Sequence, residues 1–289
     1  LRTLVLAAIA FLAPIGGPAQ AVAPSTWSGQ DRAFRVDWTA HDITATRLAD
    51  GKRVFSMQAF AATQLDLSLR QETSAAGTLE REKKVSVVSL FGSLLALRDD
   101  TFDDFRPAAH PSERVRFWTI DLAARPKDGF DPSDQYGAAI GAEERGRIRS
   151  LDQVVPAAAI AAALGRDKVV LADVPHPPHD LDELMTTWRD QAGNAGAAAP
   201  AGEGAGREAP CYDVPEDALS SFAIIGRKGA DITVRVGLPG SGACHAAFTQ
   251  LGLSLPLSDS LAKALATASV VAPPAGLPPL RIMETRQLR

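Results

Sequence analysis

Val85-Ser86-Val87-Val88-Ser89-Leu90-Phe91-Gly92-Ser93-Leu94-Leu95-Ala96-Leu97 is the stretch that decides the fold. It is rich in β-branched and apolar residues, and Gly92 interrupts it in the middle. Such a run reads as two paired strands, or as one strand with a glycine bulge. On its N-terminal side lies Glu80-Arg81-Glu82-Lys83-Lys84, which reads as a charged lead-in, a solvated strand end or turn. On its C-terminal side Asp99, Asp100, Asp103 and Asp104 cluster, and an acidic cluster of this kind reads as a solvated loop. Val115-Arg116-Phe117-Trp118-Thr119-Ile120-Asp121-Leu122 then has the composition and alternation of a strand.

Further out, Trp27 to Ala49 reads as strand and loop, and the period of Ala59 to Arg70 is ambiguous. Ser150-Leu151-Asp152-Gln153 has the spacing of a capping box before an Ala-rich run ending at Leu164 and Gly165. Pro156 inside that run starts the helix late or kinks it. Asp180 opens a second helix over Leu181–Gln191, with Leu181, Leu184, Met185 and Trp188 on one face. Residues 192–210 are Ala, Gly, Pro and Glu of low complexity and read as a flexible surface loop. Phe222–Gly226 and Ile232–Leu238 form a hairpin pattern around Lys228-Gly229-Ala230-Asp231. Leu261–Ser269 reads as a late helix, and Leu280-Arg281-Ile282-Met283 as a short tail. Strands and helices grouped in this way, without regular βα alternation, predict an α+β fold: an antiparallel sheet with helices packed on one face.

The N-terminus predicts where the protein works. Arg2, the apolar run Leu4–Ala13 and Ala19-Gln20-Ala21 have the layout of a signal peptide, with cleavage after Ala21. Residues 1–21 are therefore expected to be a leader and 22–289 a single domain, periplasmic or secreted. The apolar run is shorter than the ~20 residues a membrane span needs, so no stable membrane insertion is expected after cleavage. No Cys follows the cleavage position, so no lipid anchor is expected. Hydrophobic residues at 46% and charged residues at 22% are ordinary for a globular domain. A net charge of −4 offers no electrostatic attraction to nucleic acid. The two cysteines, Cys211 and Cys244, are expected to pair in an exported chain.

No motif assigns a reaction. His176-Pro177-Pro178-His179 has two imidazoles, but the prolines hold the segment extended, so the histidines share no helix face. Pro239-Gly240-Ser241-Gly242-Ala243 has Pro and Ala where a nucleophile elbow needs glycines. Cys244 and His245 are adjacent, and adjacent strand residues point to opposite faces. No phosphate loop, dinucleotide fingerprint or Cys-x-x-Cys is present. No catalytic residue, metal or cofactor is assigned.

One resemblance adds a direction. The β-rich segment Val85–Gly92, then Ala108-Ala109-His110-Pro111, then a strand ending Thr119-Ile120-Asp121-Leu122, and later Leu253-Ser254-Leu255-Pro256, resemble the extracytoplasmic domain of the RsiV anti-sigma factor, found in many secreted bacterial proteins. The resemblance spans roughly residues 80–270. His110, Asp121 and Leu122 match the family's pattern. Ala108-Ala109 replace its usual glycines, and Ala123-Ala124-Arg125 replace its usual Thr-Gly after Asp-Leu. The resemblance implies an α+β domain with a binding role, in a family whose best-known member binds lysozyme. It makes His110 and Asp121 the candidate functional residues, and a protein or cell-wall ligand the expected partner. An exported hydrolase with a spatially assembled site, and an envelope structural or assembly factor, are the alternatives.

Overall fold

A computed structural model describes residues 26–63, 77–106, 111–124, 147–176, 178–197, 211–240 and 247–288. The expected leader, His110, Ser241, Cys244 and His245 lie outside these residues. The α+β class is what the structure has, with the strands divided among three antiparallel sheets. The N-terminal sheet is a meander of β1 (Trp27–Gln30), β2 (Phe34–Trp38), β3 (Ile43–Arg47) and β4 (Arg53–Ser56). A helix over residues 57–63, α1, follows it.

The central sheet is built on the hairpin of β5 (Gly77–Phe91) and β6 (Leu94–Arg106). Gly92 and Ser93 form its two-residue turn, and Gly92 has φ +60, a conformation that a side chain disfavours. A Cβ at Gly92 would also stand 2.2 Å from the Leu265 side chain. β7 (Ser112–Asp121) pairs with β6. Along the other side of β5 run β11 (Val270–Val271) near the turn and β12 (Leu280–Leu288) at the far end. The expected short tail is thus a nine-residue strand. The C-terminal sheet has the order β10 (Phe248–Pro256), β9 (Asp231–Pro239), β8 (Phe222–Lys228). Its β8–β9 hairpin turns at Gly229, φ +64, where the sequence places it.

The helical segment begins with a 3-10 turn at Leu151–Gln153, bracketed by the Ser150/Gln153 capping box. Pro156 ends that turn and starts α2 (Ala157–Leu164) late, as proline's missing N–H permits at a helix start. The short helix α3 (Lys168–Asp173), capped by Asp167 onto the Val169 amide, has no counterpart in the sequence reading. Asp180 caps α4 (Leu181–Ala197) through the Glu183 amide at 2.8 Å. α4 runs past Gln191, and Ala192 is buried, so helix replaces the first part of the loop expected over 192–210. Residues 198–210 lie outside the described residues. The late helix is the shorter α5 (Asp259–Ala264).

The central sheet is the middle layer. One face packs on the N-terminal sheet and α1 through Val85, Val87, Leu97, Trp118 and Ile120, with the Phe60 ring set edge-on to Trp118 at 5.5 Å. The other packs on the C-terminal sheet through Ala96, Phe117 and Ala223. Ser89 and Thr119 seal that junction by donating hydroxyl hydrogen bonds to the Ile224 and Phe222 carbonyls. The C-terminal sheet presents Ile232, Val234, Leu251, Leu253 and Leu255 to a core shared with the helices.

Candidate functional site

The register of β5 against β6 shifts between Val87 and Ser89, which makes Val88 a bulge residue. A one-residue slip moves every later side chain to the other face. If the register set by the turn continued unchanged, Arg81 would oppose Asp104 and Glu82 would oppose Asp103. With the bulge, Arg81 pairs with Asp103, Lys83 with Thr101 and Val85 with Asp99. These residues fall on the face that, nearer the turn, packs on the N-terminal sheet.

The result is a buried ionic layer. Arg81, Lys83, Asp99, Thr101 and Asp103 are each less than 9% exposed. The charged lead-in is therefore the interior of a strand, and the acidic cluster is half interior: Asp99 and Asp103 point in, whereas Asp100 and Asp104 are only partly buried. The sequence reading missed this because a charged run looks solvated until its partner strand is known.

Two centres make up the layer. In the first, Lys83 Nζ donates to Asp99 Oδ2 at 2.8 Å and to Thr101 Oγ1 at 3.0 Å. Thr101 Oγ1 and Trp118 Nε1 also donate to Asp99, at 2.8 and 3.1 Å. Burial pushes the Asp99 pKa up, but the Lys83 charge and the three donors outweigh it and hold the carboxyl below the usual carboxylate range. In the second, Arg81 grips Asp103 with two bonds, Nε to Oδ1 at 2.5 Å and Nη2 to Oδ2 at 2.9 Å. Arg114 adds a third at 3.0 Å. Burial again raises the Asp103 pKa, and the two guanidiniums override it downwards. Beside them Arg116 lies over the Trp118 ring, 3.7 Å from its centroid, and reaches Asp217 at 3.2 Å. Both inward carboxylates are held ionised and fully engaged. Neither has the raised pKa of a general acid.

The opposite face of the same strands is open. Met283, Glu82, Phe102 and Glu113 form one cross-strand row through β12, β5, β6 and β7. Met283 is 68% exposed and Phe102 42% exposed. Between them Glu82 accepts from Arg281 Nε at 2.9 Å. Lys84, Arg281, Asp100, Glu80 and Asp104 occupy the neighbouring rows of this face.

Of the residues expected to carry function, Asp121 sits at the end of β7 with its carboxylate on Arg149, Nη2 at 2.5 Å, and on the Ala123 amide at 3.0 Å. Its own amide donates to the Arg147 carbonyl at 2.7 Å. Asp121 thereby fastens the 147–150 segment to the sheet. His176 and His179 are both exposed, and no group of three or more His, Cys, Asp or Glu residues placed to hold a metal ion occurs among the described residues. Of the two cysteines only Cys211 is described, so the described residues contain no pair. Its neighbourhood is nevertheless informative. Tyr212 OH and Trp188 Nε1 both donate to the buried Asp173, and the Asp213 amide bonds the Pro239 carbonyl at 2.9 Å. The 211–214 segment thus lies against the end of β9, five residues before Cys244.

Comparison with protein-family models, with curated proteins and with solved structures returned no match. No helix among the described residues is long and apolar enough to cross a membrane.

Proposed function

We propose that the protein is an exported, non-catalytic binding module of the bacterial envelope, and that its protein or cell-wall ligand docks on the outer face of the central sheet around Phe102 and Met283. The observation that carries this reading is that these two exposed apolar side chains stand in one row, separated by Glu82 and bordered by charged residues. Exposed apolar side chains set among charged ones are a feature of interfaces. The ionic layer behind the row supports it further. Satisfied buried charges fix the strands in one register, so the face is pre-organised and loses little freedom on binding.

Titration calorimetry with lysozyme, and co-sedimentation with purified peptidoglycan, test the two ligand classes. Binding to one of them is expected, weakened at least tenfold, ~1.4 kcal/mol, in Phe102→Asp. Binding unchanged in Phe102→Asp and in Met283→Asp moves the ligand to another face. Turnover of either probe by the pure protein overturns the non-catalytic reading.

A further inference from the structure

Among the described residues the strand edges are protected, with one exception. β1 and β4 are four residues long. β7 carries Glu113, Arg114 and Arg116, and β12 carries Arg281, Glu284 and Arg286. The edge of β8 lies under the central sheet, where Ser89 and Thr119 take up its carbonyls. Short strands, charges and covering are the ordinary means by which proteins prevent strands from pairing between molecules. Among the described residues β10 has none of these three, and its only other protective feature is Pro256 at its last position. It is nine residues long, has no charged side chain, runs against β9 without a register break, and pairs with no second strand among the described residues. Leu251, Leu253 and Leu255 are buried on its inner side, while Gln250, Gly252, Ser254 and Pro256 are exposed.

The helix packed against this strand is unprotected as well. α2 reads Ala157-Ala158-Ala159-Ile160-Ala161-Ala162-Ala163-Leu164 and contacts β10. A helix that is apolar all round is ordinarily buried all round. Here Ile160, Ala161 and Leu164 are buried, but Ala157, Ala158 and Ala162 are exposed. Two contacting elements of different type thus expose a surface whose own side chains are uncharged, with Arg235 of β9 opposite Gly252 and donating to Gln250 on the outer side.

We propose that a second copy of this chain covers that surface, with β10 pairing antiparallel to its symmetry mate and the two α2 helices flanking the junction. The sequence of β10 is its own complement. Centred on Gly252, antiparallel pairing sets Leu251 opposite Leu253 on the inner side, and sets Gly252 opposite Gly252 and Gln250 opposite Ser254 on the outer side. No like charges meet, and the two three-stranded sheets join into one of six. A closed two-fold contact of this kind uses up both edges and does not propagate. The proposal goes beyond the binding reading and does not depend on it.

Light scattering and sedimentation of the whole protein up to roughly 100 µM, set against Gly252→Glu and Ala158→Arg, form the test. A Cβ at Gly252 meets nothing within 4 Å and stands opposite Arg235 of β9, so a glutamate is compatible with the monomer fold. Across the two-fold axis it sets two like charges face to face. The wild type is expected to approach twice the monomer mass. Each variant should raise the dissociation constant at least about tenfold while leaving the circular dichroism spectrum and melting temperature of the monomer unchanged. A wild type that stays monomeric over the whole range overturns the proposal, as does a dimer that both well-folded variants leave intact.

Discussion

Replacing Lys83 by Met removes one charge from the closed centre around Asp99 and leaves the other. Asp99 is 2% exposed and would keep only the Thr101 and Trp118 donors. Breaking a buried pair from one side costs about 3–5 kcal/mol, because the remaining charge is neither hydrated nor compensated. In a domain of this size that corresponds to a melting temperature lower by roughly 6–20 °C. The double variant Lys83→Met, Asp99→Asn removes both charges. The asparagine carbonyl can still accept from Trp118, and its amide can donate to Thr101 Oγ1. Replacement of a whole buried pair is often close to neutral, so the double variant is expected to lie within about 1 kcal/mol of the wild type. The two single variants and the double form a mutant cycle, read by urea denaturation with thermal melting as a cross-check. A loss below about 1 kcal/mol in Lys83→Met would refute the reasoning, because such a value belongs to an exposed pair. So would a double variant as unstable as the sum of the singles, since that would mean the two charges do not interact.

Four further outcomes are expected, two from the structure and two from the sequence. Asp103 has a lowered folded pKa, so its contribution is fully present above the unfolded carboxylate value of about 3.9 and is lost as pH falls below it through the folded value. Asp103→Asn should therefore lower the melting temperature at pH 7 and flatten its decline between roughly pH 4 and pH 2, as a pH series of melts would show. Gly92→Ala should destabilise by about 1–3 kcal/mol through its positive φ and the Leu265 contact; a loss under ~0.5 kcal/mol in denaturation would mean the turn tolerates a side chain. Cys211 and Cys244 are expected to form one intramolecular disulfide, worth ~3–4 kcal/mol for a loop of about 33 residues. Peptide mapping without reduction tests the pairing, and two alkylatable thiols in oxidised protein would exclude it. The mature chain is expected to begin at Val22, which N-terminal sequencing of exported protein checks.

The parts of the fold legible in the sequence are those set by local chemistry. Gly92 between two apolar runs marks a hairpin, the Ser150/Gln153 box and Asp180 mark helix starts, and Gly229 marks the second hairpin. What escaped depends on register. Arg81 and Lys83 alternate with Glu80, Glu82 and Lys84, and nothing within that run separates inward from outward positions. The separation comes from β6, where Asp99, Thr101 and Asp103 alternate with Asp100, Phe102 and Asp104. The two patterns match only with the Val88 bulge, and a Val-Val step gives no local sign of one. A signal was present nonetheless: basic residues two apart on one arm of a hairpin and acidic residues four apart on the other, with Arg81 and Asp103 at nearly equal distances from the turn. β12 escaped because its pairing with β5 joins positions about two hundred residues apart. Asp173 escaped because its donors, Trp188 and Tyr212, come from two other segments.

The central sheet is one structure with two kinds of interior, and the difference bears on function. Near the Gly92 turn the face toward the N-terminal sheet is Val85, Val87, Leu97 and Trp118, which would pack with little preference among registers of the same parity. At the far end it is Arg81, Lys83, Asp99 and Asp103, and this register sets Arg81 opposite Asp103 and brings Lys83 diagonally onto Asp99. Ionic layers contribute little net stability over apolar replacements, and their best-attested use is to select among arrangements. Catalysis would require one of these groups to be out of balance, such as a carboxyl raised towards neutrality or a lysine left without its acid. Asp99 and Asp103 are displaced the other way, each held below the usual carboxylate range by partners within 3.1 Å. A sheet whose charges are locked behind it, and whose outer row shows Phe102 and Met283, is built to hold a surface still. That is the physical requirement of recognition, and it supports the binding role proposed for this face.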